Sequence, residues 1–197
     1  SRARRSISTS AYVLMPCMFG LAAIAEPLVK LLLTEKWLPC VPFLQLACLS
    51  YALYPLHTAN LTGINALGRS DIFLKLEIIK KILVVISLFV TIPFGIYAMA
   101  IGQVVLGFIS TFINSYPNKK LMNYSYLEQI KDLLPAFLLS VFMSAVVWSL
   151  HFVAMPLILL LILQITLGGL LYIFFSKLFK LEVFDYFIVT IKEFQKK

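Results

Sequence analysis

Apolar residues in this chain gather into six long runs, at about 11–33, 41–67, 78–94, 97–113, 133–150 and 156–175. A helix needs about 20 apolar residues to cross the hydrocarbon core. Backbone groups in lipid must be paired within their own segment, so runs of this length predict helices. The strict apolar/polar alternation of a membrane β-barrel is missing from stretches such as 82–90 and 157–163. The pattern therefore predicts an all-α, polytopic membrane bundle of six transmembrane helices over 1–175. The residues 176–197 follow as a cytoplasmic tail, in which Leu178, Leu181, Phe184, Phe187, Ile188 and Ile191 alternate with charges. That pattern predicts an amphipathic helix on the membrane surface.

Finer punctuation refines the elements. The first helix is expected to start near Ser8, Thr9 and Ser10 and to kink at Pro16 and Pro27. The second is the most polar, carrying Gln45, His57, Asn60, Thr62 and Asn65 with Pro55 inside it. It is expected to stop at Gly68 and Arg69. An uncharged turn at Pro93, Phe94 and Gly95 joins the third and fourth helices as a tight hairpin, and a turn holding His151 joins the fifth and sixth. Gly102, Gly107 and the pair Gly168-Gly169 mark close helix packing. The longest inner loop, 114–132, is expected to lay residues 124–132 along the membrane surface.

Charge fixes an orientation. Fifteen of the 17 Lys and Arg residues fall in every second gap, and Lys30 and Lys36 alone fall in the others. Short basic loops stay in the cytoplasm, so both termini are expected there, with the chain in a bacterial cytoplasmic membrane. The whole +8 excess lies on that side. It reads as topology and attraction to anionic membrane lipids, not as a nucleic-acid surface. The composition, 61% hydrophobic and 13% charged, excludes a soluble domain. Cys17, Cys40 and Cys48 stand apart from one another and from histidines, so they predict small core residues and neither a metal site nor a disulfide framework. The opening has no Met and reads like a signal peptide, with basic residues, an apolar core and Ala23-Ile24-Ala25. The run continues past Ala25, which favours a retained helix in a fragment or processed product.

Outer gaps of a few residues cannot hold a catalytic domain, and no catalytic motif stands in the inner ones. No enzyme, cofactor or metal chemistry is expected. Polar residues at membrane depth become the candidates. His57 and Asn60, at i and i+3, read either as the lining of a hydrated path or as interhelical hydrogen bonds. Gln45, Gln103 and Gln164 fit helix packing, with Gln45 and Gln103 kept as path candidates. Asn65 and Arg69 read as a phosphate contact or as a helix end, and a guanidinium can grip phosphate bidentately. Glu26 and Lys30, at i and i+4 near the outer end, read as a coupling or outer-mouth pair or as an ordinary interfacial pair.

Two stretches carry a resemblance. Residues 32–39 (LLTEKWLP) with 42–45 (PFLQ), and above all 60–71 (NLTGINALGRSD) with 73–77 (FLKLE), are similar to the colanic-acid and teichuronic-acid exporter branch of the Wzx-type oligosaccharide flippases. These belong to the multidrug/oligosaccharidyl-lipid/polysaccharide exporter superfamily. The resemblance implies a two-lobed fold that moves an undecaprenyl-diphosphate-linked oligosaccharide across the membrane by alternating access, for surface polysaccharide. Six spans with both ends inside would match the C-terminal lobe, with an N-terminal lobe as its partner. A polar-lined path removes the cost of burying a charged, hydroxyl-rich headgroup in hydrocarbon. Other readings are a drug or cation antiporter of the same superfamily, a membrane-embedded polysaccharide-assembly enzyme subunit, and a purely structural subunit.

Overall fold

The computed structural model describes residues 2–179, 181, 183 and 184, and among them it is all helix and turn. The helices are α1 (Arg2–Ala23), α2 (Ala25–Leu33), α3 (Val41–Ala52), α4 (Tyr54–Ala66), α5 (Ser70–Thr91), α6 (Ile96–Ser115), α7 (Asn118–Leu121), α8 (Tyr126–Ser149) and α9 (Leu157–Leu178). Short 3-10 turns at Glu35–Cys40, Ile92–Phe94 and Leu150–Phe152 close the connections. Most of the expected amphipathic tail, 180, 182 and 185–197, lies outside the described residues.

Prolines set the breaks. A proline cannot donate to the carbonyl four residues back, and its ring crowds that carbonyl. Pro27 acts on Ala23, where α1 ends, and Pro55 acts on Tyr51, just before the break at Leu53. The expected first and second spans are thus two helices each. Pro16 does not break α1, because the Tyr12 carbonyl it strands receives the Tyr172 hydroxyl of α9 at 2.8 Å. Helix α1 also starts earlier than expected, at Arg2. One tie across this end joins Arg4 to Asp132 Oδ1 at 2.6 Å, and the Tyr124 hydroxyl donates to Asp132 Oδ2 at 2.7 Å. Burial and that carboxylate push the Tyr124 phenol up.

The loop expected over 114–132 is largely helical. Ser125 and Glu128 form a capping box, each side chain taking the other's backbone N–H, so α8 begins at Tyr126. Both tight hairpins form as expected. In α5–α6 a side chain at Gly102 would meet Ser87 Oγ at 3.0 Å, and in α8–α9 one at Gly168 would meet Val147 Cγ2 at 3.1 Å. Gly169 faces open space.

Helix α1 is the hub, packed on α3, α4, α8 and α9. Ile7, Ala11 and Met15 pack with Leu56, Leu133 and Ala136 at one end. Tyr12 packs with Leu139, Met143, Leu161 and Tyr172 at the other. Tyr172→Phe is expected to cost about 1–2 kcal/mol, the worth of a hydrogen bond whose acceptor is left buried. Thermal denaturation of the purified protein in detergent, read against Tyr172→Leu, measures it.

Among the described residues five segments are long and apolar enough to cross a membrane: Arg4–Ala23, Glu35–Ala66, Ile96–Leu121, Tyr126–Phe152 and Leu157–Leu178. The expected span at 78–94 does not reach that mark. Glu77 stands just before it and Lys80 and Lys81 lie in its first turn, so only residues 82–94 are left uncharged. The chain is a multi-pass membrane protein, with five such segments among the described residues against the six expected.

Candidate functional site

The two faces of α4 differ in kind. One is dry and closed. Asn60 is 1% exposed, and Ser115, Asn118 and Gln129 are fully buried around it. Asn60 Nδ2 donates to Gln129 Oε1 at 2.7 Å and Gln129 Nε2 donates back to Asn60 Oδ1 at 3.0 Å. Asn118 Nδ2 donates to the same Oδ1 at 2.6 Å, and Asn60 Nδ2 also donates to Ser115 Oγ at 3.0 Å. Reciprocal amide pairing of this kind fixes each amide's orientation and locks α4 to α6, α7 and α8 at once. His57, half-buried at the edge, meets Asn114 Nδ2 through Nδ1 at 3.1 Å. The Asn114 and Asn118 side-chain oxygens have no donor among the described residues.

The other face is open. The exposed residues of α4 between Tyr54 and Asn65 are Tyr54, Thr58, Thr62 and Asn65. At 100° per residue they fall within about 80° of arc, with Asn60 on the opposite side. Tyr51, at the end of α3, is exposed too. Exposed residues of α8 and α9 are of another character: Leu134, Leu138, Phe142, Ile158, Ile162 and Ile165, for example, are apolar. Thr58 Oγ1 donates back to the Tyr54 carbonyl at 3.0 Å, which a helix in lipid tolerates. The Tyr51 and Tyr54 phenols and the Asn65 amide have no hydrogen-bonding partner among the described residues. Lipid offers them none, and an unpaired polar group in hydrocarbon costs about 2–7 kcal/mol. This face is built for water, a polar ligand or a polar protein surface. Gln103, exposed on α6, has the same need.

At one end of the open face the chain turns in a Schellman motif. Gly68 takes φ 68°, its N–H reaches Asn65 O at 2.9 Å, and Arg69 N–H reaches Ile64 O at 3.2 Å. Arg69 is thereby placed beside Asp71, with Nε on Oδ1 and Nη2 on Oδ2, both at 3.0 Å. The hydrogen bond to Arg69 holds the Asp71 carboxyl down to about 2. A depressed carboxyl contributes above its ordinary value of 3.8 and loses that contribution as pH falls through about 2, so the pair is intact at neutral pH. The guanidinium fork expected to grip phosphate is occupied.

The other sequence candidates sit apart. Gln45 donates to the Ala22 carbonyl at 3.2 Å and so caps the end of α1 beside its break. Glu26 holds Lys30 at 3.4 Å, and its second oxygen lies 3.8 Å from His151 Nε2. Sequence reasoning missed His151 as a partner because 125 positions separate it from Glu26. It also missed Gln129, Ser115 and Asn118, having assigned all three to the inner loop 114–132. Among the described residues no cluster of three or more His, Cys, Asp or Glu could hold a metal.

Residues 1–42 match a family model described as "Polysaccharide biosynthesis protein". Over 106 residues the chain is 28% identical to an "Uncharacterized membrane protein in cps region" of Klebsiella pneumoniae. That match takes in 53% of this chain and 22% of the relative, so the chain spans a little over a fifth of the relative's length. No solved structure matches. The two matches support a membrane protein of polysaccharide biosynthesis.

Proposed function

We propose that this chain is the C-terminal lobe of an exporter that carries a lipid-linked oligosaccharide across the bacterial cytoplasmic membrane by alternating access, for surface polysaccharide. The polar open face of α4 carries the reading: a hydroxyl-rich headgroup needs such a face and a lipid-facing helix does not. The match to polysaccharide biosynthesis and the relative's cps region agree with it. On this reading the function is transport, with no reaction catalysed. The ligand is an undecaprenyl-diphosphate-linked oligosaccharide, and the partner is an N-terminal lobe closing over α4. Helix α5 crosses as the sixth span with Ile82, Val85, Ile86 and Phe89 toward lipid, and both termini face the cytoplasm. The antiporter alternative would call for an acid on the open face, whose exposed residues from Tyr54 to Asn65 are neutral.

Expression of the full-length protein in a strain deleted for its own flippase tests the reading. Restored surface polysaccharide supports it. Absence of rescue by a membrane-inserted protein, in the strain that naturally makes the cognate sugar, overturns it. Arg69 would stand at the inner mouth, restrained by Asp71. Asp71→Asn is then expected to strengthen binding of inorganic pyrophosphate to the purified protein, and Arg69→Ala to abolish it, as read by calorimetry.

A further inference from the structure

The break between α3 and α4 lies deep in its span. At 1.5 Å per residue, Tyr51 is about 15 Å from the start of α3 and Tyr54 about 18 Å from the end of α4. That depth is near the middle of a hydrocarbon core about 30 Å thick, and far from the interfacial belts where tyrosines ordinarily sit. Yet Tyr51 is 60% exposed and Tyr54 is 54% exposed, one on each side of Leu53. Non-helical backbone at this depth is tolerated where it is buried in protein or lines an aqueous cavity, and interrupted helices near the midplane recur at transporter binding sites.

The two proline sites make a comparison within one molecule. The carbonyl stranded by Pro16 is buried and taken by Tyr172. The carbonyl of Tyr51, four residues before Pro55, has no i+4 amide to receive; the Leu53 N–H at the end of α3 turns to it and to the Ser50 carbonyl instead, beside an exposed side chain. The first break in the hydrogen-bond ladder is thus sealed inside the protein, and the second opens on the polar face of α4.

Two exposed phenol rings and their hydroxyls have a definite complement. A pyranose presents an apolar C–H face and a rim of hydroxyl donors. The negative face of an aromatic ring attracts the polarised C–H groups. We propose that Tyr51 and Tyr54 form a saccharide-stacking site at the helix break, contacting sugar units of the transported chain. This rests on the transport reading above and assigns residues within it.

The test is made with the full-length protein at its native locus, reading surface polysaccharide per molecule of membrane-embedded protein. Tyr51→Leu and Tyr54→Leu keep bulk and lose the ring, while Tyr51→Phe and Tyr54→Phe keep the ring and lose the hydroxyl. Each Leu variant is expected to lower export about five- to tenfold, the size of one aromatic contact, with the Phe variants within about twofold of the parent. Thr62→Leu serves as a control for the path itself. Leu variants that export normally while Thr62→Leu does not would overturn the stacking site and leave the path standing. Phe variants as defective as the Leu variants would also overturn it, in favour of the hydroxyl. Normal export by all five would remove both the site and the path.

Discussion

Asn60→Leu is expected to destabilise the protein by about 2–4 kcal/mol, the largest effect of any single substitution discussed. Asn60 is the shared partner of Ser115, Asn118 and Gln129. Leucine removes one amide and leaves three buried polar groups short of a partner. Each such loss costs about 1–3 kcal/mol in a dry interior, and interhelical hydrogen bonds in membranes fall toward the low end, near 1 kcal/mol. Three losses at that lower value set the estimate. Because the network joins four helices, the loss should appear as a lower unfolding temperature in detergent and less protein in the membrane. His57→Phe, which touches the network only at Asn114, should do much less. Unfolding temperatures that match for parent and Asn60→Leu would show that the network does not hold α4.

The double replacement Thr62→Leu, Asn65→Leu is expected to act the other way round, with little loss of protein and a large loss of export. Both residues are exposed and neither side chain bonds to another described residue. Leucine there leaves no buried group unpaired. What it removes is about 1 kcal/mol of polar contact per residue with whatever passes the face, which together corresponds to a ten- to thirtyfold fall in transport. Surface polysaccharide measured against the amount of membrane-embedded protein separates this from a folding defect.

These two substitutions, on opposite sides of one helix, also show what the sequence reveals and what it hides. The open face is written in the chain: Tyr54, Thr58, Thr62 and Asn65 follow i, i+4, i+8, i+11 within an apolar run. It is overlooked when attention goes to charged and amide groups, since threonine and tyrosine pass as apolar in a hydropathy average. The helix start at Tyr126 was equally legible in the Ser125 and Glu128 capping box. Spans, hairpins and the stop at Gly68 follow from apolar run length, Pro and Gly, because those are local causes. The pairing of Asn60 with Gln129 is not local: 69 positions separate them, and only packing brings them together. Sequence left His57 and Asn60 between path and packing. The structure turns Asn60 inward and His57 to the boundary, because at about 100° per residue they lie about 60° apart on one flank, His57 nearer the exposed stripe and Asn60 opposite it. Pro16, read as a kink, leaves α1 whole for the same reason, since the hydroxyl that compensates it comes from Tyr172 at the far end of the chain.

On the transport reading the open face of α4 meets a polar environment while the outer faces of α8 and α9 meet lipid. Spin labels on single cysteines at positions 58, 62, 138 and 165, in a background with Cys17, Cys40 and Cys48 replaced and the full-length protein in bilayers, test it most directly. Labels at 58 and 62 are expected to relax with a water-soluble nickel chelate and those at 138 and 165 with oxygen. Labels at 58 and 62 that respond to oxygen alone, like the label at 165, would contradict it.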